Sequence, residues 1–143
     1  MESRAEISVS RHFATSCERV FDAWLTPAIA RQFLFTTPDS TMIRADIDAH
    51  VGGKFCFIDQ RDGKDIEHIG QYLLIDRPRQ LIFTFAVPEF SSEYTRVDIT
   101  INAVDKGCDL ILTHTGVLPD YAERTRAGWS SILSKLDEIL KTK

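Results

Sequence analysis

The first residues of the chain alternate between apolar and polar side chains. In AEISVSRHF, Ile7, Val9 and Phe13 share one face with Arg11, while the serines and His12 occupy the other. A repeat of two places every second side chain on the same side of an extended backbone. The pattern therefore predicts a strand with one core-facing side.

The pattern then changes to a helical one. Between Cys17 and Leu25 the apolar residues recur every three or four positions, which predicts a helix of about three turns. Thr15 is predicted to be its N-cap, because Glu18 follows three residues later as in a capping box. Thr26 and Pro27 predict the start of a second, short helix, since proline favours the first helical position.

The middle of the chain contains six further stretches with strand character, separated by turn residues. Asp62-Gly63, Pro78 and Gly107 mark three of the turns. Turns at this spacing predict an antiparallel sheet. Gly52 and Gly53 precede one of these strands, so they are predicted to turn the chain and permit curvature. A phosphate-binding loop would instead need a helix directly after the glycines.

The last stretch returns to helical spacing and predicts one long helix that includes Trp129, Leu133 and Leu136. Gly128 costs this helix roughly 1 kcal/mol relative to alanine, so we expect something to pack closely against the backbone there. The order predicts an α+β fold in a single domain, residues 1–143: a curved antiparallel sheet of six to seven strands wrapped round the C-terminal helix. The two short helices would close one end, and a space would remain between helix and sheet.

Composition narrows the functional classes. The 143 residues are 43% hydrophobic and 27% charged, with a formal net charge of -4, so no broad attraction to nucleic acid or to anionic lipid is expected. There is no apolar run of about 18 residues. The three cysteines are widely spaced and the four histidines lack metal-ligand spacing. We therefore expect a cytoplasmic protein without metal, cofactor, membrane or nucleic-acid partner, and a homodimer is left open.

Six stretches of the chain resemble the activator of heat-shock protein 90 ATPase family in its single-domain bacterial form. They are RHFATSCERVFDAWLTP, VGGKFCF, GQYLLIDRPRQLIFTF, VDITI, LILTHTGV and GWSSILSKL. This family belongs to the helix-grip superfamily, also called SRPBCC, that includes START domains and the birch pollen allergen. The resemblance implies a helix-grip fold with a cavity between the terminal helix and the sheet.

Alternation and helical spacing place a set of aromatic and histidine side chains at that cavity. The candidate ligand-cavity residues are Trp24, Phe33, Phe35, Phe55, Phe57, His68, Tyr72, Phe83, Phe85, His114 and Trp129. A largely apolar cavity with a few polar tips is typical of a small-molecule site. The alternative is that these rings interdigitate and fill the interior.

Three of these residues could contact a polar part of a ligand. His68 could bind a polar group or act as a general base, and Tyr72 is the better placed hydrogen-bonding group. Each of His68, Tyr72 and His114 could equally be a buried structural residue with its own hydrogen bonds. The hydroxyl residues form no nucleophile elbow or triad, so no catalytic residue is assigned.

Three functions remain open. The first is a binding module for a small lipophilic or aromatic molecule. The second is an enzyme that uses the same cavity, as cyclases and hydrolases of the superfamily do. The third is a protein-interaction role in stimulating a chaperone ATPase, which the resemblance implies. Because the full-length activators carry a separate N-terminal domain for which 143 residues leave no room, a chaperone partner is disfavoured.

Overall fold

The computed structural model describes residues 4–37, 39–91 and 93–141. The elements follow the predicted order of one strand, two short helices, six strands and one long helix. They are β1 (Ala5–Phe13), α1 (Cys17–Leu25), α2 (Pro27–Phe33), β2 (Thr41–Ile47), β3 (Lys54–Arg61), β4 (Lys64–Asp76), β5 (Gln80–Phe85), β6 (Thr95–Val104), β7 (Gly107–Val117) and α3 (Ala122–Lys141), with a single 3-10 turn at Pro119–Tyr121 before α3. No helix among these residues is long and apolar enough to cross a membrane.

The seven strands form one antiparallel sheet in the order β1-β7-β6-β5-β4-β3-β2. From β2 to β7 each strand pairs with the next one along the chain, whereas β1 pairs with β7, with Val9 opposite Leu112. β1 and β2 therefore lie at opposite edges of the sheet. The helices α1 and α2 carry the chain from one edge to the other.

The core lies between the sheet and α3. Alternate residues of β7, from Cys108 to His114, are buried. The stripe of α3 that contains Trp129, Leu133 and Leu136 is buried as well. This confirms the predicted helix-grip arrangement, in which an apolar sheet face and an apolar helix stripe exclude water from each other.

Polar contacts fix α3 against β1. Arg11 shares the inward face of β1, and its Nη2 donates to Oδ2 of Asp137 over 2.9 Å. Asp137 is only 7% exposed, so its charge needs this partner. Arg126 on α3 also donates to the main-chain oxygen of Ser8, over 3.0 Å. These contacts set the direction in which α3 crosses the sheet.

The paired glycines lie in the turn that leads into β3, as predicted. Gly52 has a φ of 89°, in the left-handed region that favours glycine. A Cβ on Gly53 would lie 2.1 Å from the main-chain oxygen of Asp48. The main chain of this turn pairs with Tyr72, which accepts from Gly52 N and donates to Gly53 O over 2.8 and 2.9 Å. The turn is thereby joined to β4.

The prediction of Thr15 as the N-cap of α1 is wrong by one residue. The hydroxyl of Ser16 accepts from the main-chain N–H of Arg19 over 3.2 Å, and Ser16 has the extended backbone of an N-cap residue. Thr15 Oγ1 instead accepts from the Arg19 guanidinium over 2.8 Å. Ser16 is the N-cap because the helix begins at Cys17. The hydroxyl one position before the helix is the one that faces the free N–H groups of the first turn.

Replacing the capping hydroxyl gives a direct stability test. Ser16→Ala is expected to lower the free energy of unfolding by about 1 kcal/mol, because one N–H of the first turn loses its acceptor. Thr15→Ala serves as the control, and about half that loss or less is expected because its hydroxyl contacts the half-buried guanidinium of Arg19 and caps no N–H of the helix. Urea unfolding of both variants measures the difference, and a larger loss for Thr15→Ala would contradict the assignment.

Candidate functional site

An open cavity of about 650 Å³ lies between α3 and the sheet. The segment after α2 forms one wall, the strands β3 to β5 form the floor, and one face of α3 forms the opposite wall. The lining residues are Phe33, Phe35, Thr36, Thr37, Arg61, His68, Phe85, Val87, Arg124, Thr125, Gly128, Trp129, Ser131, Ile132 and Lys135. A volume of this size accommodates a small organic molecule.

Phe35 is the centre of the aromatic surface of this cavity. Its ring stacks on His68 with centroids 4.8 Å apart and on Phe85 with centroids 5.0 Å apart. Trp129 of α3 approaches the same ring at 6.0 Å in an edge-on arrangement. Such pairs add about 0.5–1.5 kcal/mol each beyond area burial. The floor is therefore a set of nearly parallel rings held by neighbours on three elements.

The backbone of Phe35 is held in an unusual conformation. Its φ is 56°, and a bulky residue in the left-handed region costs of order 1–3 kcal/mol. The Phe35 carbonyl accepts from Arg61 Nη2 over 3.2 Å, which helps to hold this conformation. Residues of this kind are concentrated at ligand clamps and active sites. The left-handed turn allows the Phe35 ring to stack against the sheet.

Arg61 is held in turn by a buried carboxylate. Asp59 continues the inward face of β3, is fully buried, and accepts from Arg61 Nε over 2.7 Å. Thr36 donates to the other carboxylate oxygen over 3.3 Å. Burial of a charged pair requires such additional hydrogen bonds. The three side chains connect β3 to the wall that follows α2.

His68 is the polar group in the aromatic floor. It is 5% exposed, and among the described residues no group hydrogen-bonds to its Nδ1. Burial, together with the smaller effect of the positive charge of Arg61, lowers the pKa of His68 to about 4. The ring is therefore neutral at neutral pH. A buried polar atom without a protein partner calls for an explanation such as a ligand or a water.

In contrast to His68 Nδ1, both ring nitrogens of His114 have hydrogen-bond partners. Its Nδ1 accepts from Trp129 Nε1 over 2.9 Å, and its Nε2 lies 2.7 Å from Thr95 Oγ1, which donates onward to the Phe85 carbonyl. This chain of hydrogen bonds places the proton on Nε2. Burial lowers the pKa of His114 to about 4 as well. His114 thus orients Trp129, and it lines a second cleft of about 600 Å³ that shares Phe85, Val87, Arg124 and Thr125 with the first.

The structure divides the candidate residues predicted from the sequence into two groups. Phe33, Phe35, His68, Phe85 and Trp129 line the cavity. The others, apart from His114, belong to a closely packed cluster that encloses only about 10 Å³, consisting of Trp24, Phe55, Phe57, Tyr72 and Phe83 together with Leu34, Phe35 and Leu81. The space between helix and sheet is therefore filled at one end and open at the other.

Tyr72 lies in the closed cluster. It is 3% exposed, with its ring 5.5 Å from that of Phe55 and 6.3 Å from that of Phe83. Burial raises the pKa of the Tyr72 hydroxyl, and the negative charge of Asp48 raises it further. Tyr72 therefore belongs to the closed cluster and does not line the open cavity, whereas His68 does.

The sequence patterns missed the charged rim of the cavity. Arg61 follows Phe55, Phe57 and Asp59 at alternate positions, so the period of two could have placed it on the inward face. On α3, Arg124, Gly128, Ser131 and Lys135 recur at helical spacing and line one wall. The expectation of close packing at Gly128 is wrong, because a Cβ there would meet no atom of the described residues within 4 Å. The glycine borders open space.

A metal site would need several His, Cys, Asp or Glu side chains close together. Within residues 4–37, 39–91 and 93–141, no three His, Cys, Asp or Glu side chains are grouped in a way that could hold a metal ion. Asp59 and Arg61 form an ion pair whose arginine lines the cavity. The groups that a ligand would meet in the cavity are its aromatic rings, His68 and the cationic rim.

Comparison with known proteins gives both a family match and structural matches. The model of the family described as Activator of Hsp90 ATPase homolog 1-like protein matches residues 14–141. A Chromobacterium violaceum protein is similar with a TM-score of 0.86 at 22% identity, over 94% of this chain and 95% of that one. An AHSA1-like protein from Aeromonas hydrophila gives 0.81 at 20%, over 96% and 93%.

A protein of unknown function from Staphylococcus aureus gives a TM-score of 0.88 at 16% identity, over 99% of this chain and 96% of that one. No curated protein matches the chain by sequence. At these identities the structural likeness establishes the shared fold.

Proposed function

Because the chain belongs to the family of Activator of Hsp90 ATPase homolog 1-like proteins, we propose that it binds a small lipophilic or aromatic molecule in the cavity between α3 and the sheet. The observation that carries the proposal is the open cavity of about 650 Å³ above a floor of stacked rings. In that floor, the Nδ1 of His68 has no hydrogen-bond partner within the described part of the chain. Pockets of roughly 300–1,000 Å³ with apolar walls and few polar groups are typical of small-molecule sites.

The aromatic rings that line the cavity favour a planar or branched apolar ligand. Phe35, Phe85 and Trp129 present ring faces and edges from three different elements, so the surface is already ordered before a ligand arrives. A preordered aromatic surface lowers the entropic cost of binding. The left-handed backbone of Phe35 supports the same interpretation, since strain of this kind is maintained where a site needs a fixed geometry.

Filling the cavity from α3 is expected to abolish binding. In Gly128→Phe the new side chain projects into open space, because a Cβ at Gly128 meets no atom within 4 Å, and phenylalanine is a better helix residue than glycine. The variant should fold and lose at least about tenfold in ligand occupancy, since the ring takes the ligand's volume. Ala127→Phe is the matched control, because Ala127 is exposed on the same helix and does not line the cavity.

Native mass spectrometry of protein purified from its own cells is the measurement. A stoichiometric compound on wild type and Ala127→Phe that is absent from Gly128→Phe would support the proposal and supply a substrate for a turnover assay. Turnover of that compound would favour the enzymatic alternative. A bare protein mass across several growth conditions would contradict the proposal and favour a protein partner.

A further inference from the structure

We propose that the ligand is an organic acid, with its apolar body on the aromatic floor and its anionic group at the edge formed by α3. This inference rests on the proposed binding function and adds the chemical class of the ligand. Three of the side chains that line the cavity are charged, namely Arg61, Arg124 and Lys135. All three are cationic, and no Asp or Glu of the described part of the chain lines the cavity.

The sign of this rim is opposite to that of the whole chain. The protein has 21 acidic and 17 basic residues and a formal net charge of -4. A local group of cations on an acidic protein therefore does not follow from overall composition. A cleft lined by one sign of charge raises the local concentration of ligands with the opposite sign.

The three cations differ in how far their charge is already compensated. Arg61 pairs with the buried Asp59 and donates to the Phe35 carbonyl, so its role is to hold the wall. Arg124 lies over the Tyr121 ring at 5.8 Å, and no carboxylate within the described ranges forms an ion pair with it. Lys135 Nζ is 4.0 Å from Glu138, at the limit of an ion pair. Arg124 and Lys135 are therefore available to a ligand.

The position of these two cations suits an amphipathic anion. They stand eleven positions apart on α3, which is roughly 16 Å along the helix. Gly128 and Ser131 lie between them on the same face, where small side chains leave room. A molecule against the Phe35, Phe85 and Trp129 rings would therefore have a cation of α3 near either end. Charge-assisted hydrogen bonds to an acid group are about twice as strong as neutral ones.

Two fluorescent probes that differ by one anionic group test the inference. Anilinonaphthalene sulfonate and N-phenylnaphthylamine share the same pair of aromatic groups, and only the first carries a charge. The sulfonate is expected to bind wild type at least about tenfold more tightly. In Arg124→Gln/Lys135→Gln that preference should fall to about twofold or less, while binding of the neutral probe stays unchanged.

Two control variants assign the binding to this cavity. Gly128→Phe is expected to abolish binding of both probes. Lys64→Gln/Lys106→Gln, which also removes two cations but at exposed positions outside the cavity, should leave both affinities at the wild-type value. This control excludes a simple effect of net charge.

Failure of the inference and failure of the proposed function give different results. Equal affinity of both probes for wild type, with loss of both in Gly128→Phe, would overturn the anionic class and leave the binding function. A sulfonate preference that survives the double substitution would also overturn the inference. Absence of binding by either probe to wild type would count against the binding function as well.

Discussion

Gly70→Ala is expected to lower the free energy of unfolding by about 3 kcal/mol or more, because overpacking against the main chain cannot be relieved by a rotamer change. Gly70 lies on β4 opposite Phe55 of β3. A Cβ there would lie 1.9 Å from the main-chain oxygen of Thr84 and 2.5 Å from the Phe55 ring. The strand would have to move away from its neighbour, and the closed aromatic cluster would have to move with it.

Gly128→Ala is the matched control for this prediction. It adds the same methyl group to a glycine whose Cβ would meet no atom within 4 Å. In a helix, alanine is favoured over glycine by about 1 kcal/mol, so this variant should be more stable than wild type. Urea unfolding followed by circular dichroism measures both. A Gly70→Ala midpoint equal to that of wild type would contradict the close approach of β4 to β5.

Acidification from pH 7 to pH 5 is expected to cost about 4 kcal/mol of stability, of which His68 and His114 contribute about 2 kcal/mol each. Burial lowers both pKa values from 6.5 to about 4. Between those values the unfolded chain binds a proton at each histidine and the folded chain does not, so the free energy of unfolding rises with pH across this window. Above about pH 7 the dependence should flatten.

Carboxylates affect the free energy of unfolding at lower pH than the histidines do. The hydrogen bond from Arg77 lowers the pKa of Asp22 below its ordinary value of 3.8. The stability that Asp22 contributes is therefore present above that value and is lost as the pH falls below it. The loss of stability caused by the histidines is complete by about pH 4, so it occurs at higher pH than the loss caused by Asp22.

Guanidinium titrations at pH 7, 6 and 5 measure the loss of stability caused by the histidines. Identical midpoints at the three pH values would contradict two neutral, buried histidines.

Replacement of each histidine by phenylalanine separates their roles. His68→Phe should halve the pH dependence and keep the stability at pH 7 within about 1 kcal/mol, because the new ring can stack on Phe35 and the Nδ1 that is removed has no hydrogen-bond partner among the described residues. His114→Phe should also halve the pH dependence but cost about 2 kcal/mol at pH 7. The reason is that Trp129 Nε1–H is left buried without its acceptor. A reversed order would contradict the assigned surroundings.

The fold was predictable because it depends on patterns that repeat. Alternation in β7 and helical spacing in α3 remain recognisable even if one residue is misassigned, because several residues define each pattern. The N-cap was missed by one position because Thr15 and Ser16 are both good caps, and only the geometry at Cys17 decides between them. Element types follow from averages over many side chains, whereas boundaries depend on one hydrogen bond.

The site was predictable only in part. Alternation placed His68 and His114 on inward faces but could not distinguish them. Among the described residues, His68 has no partner at Nδ1, whereas His114 accepts a hydrogen bond from Trp129. The stack on Phe35 depends on a left-handed backbone at a residue type that rarely adopts one. Gly128 was interpreted as a packing contact because the sequence does not reveal which face of a helix borders empty space.

The position of β1 has a consequence for synthesis of the chain. Phe13 on β1 pairs with Cys108 on β7, so the first strand leaves the ribosome long before its partner exists. At about 5–20 residues per second, that interval is roughly 5 to 20 seconds. During it, the apolar face of β1 cannot be covered by the strand it will join, although the hairpins from β2 onward can already form. β1 is thus made before the other strands of the sheet yet can join it only after β7, and during that interval β1 is the strand to which a ribosome-associated chaperone would have the longest access.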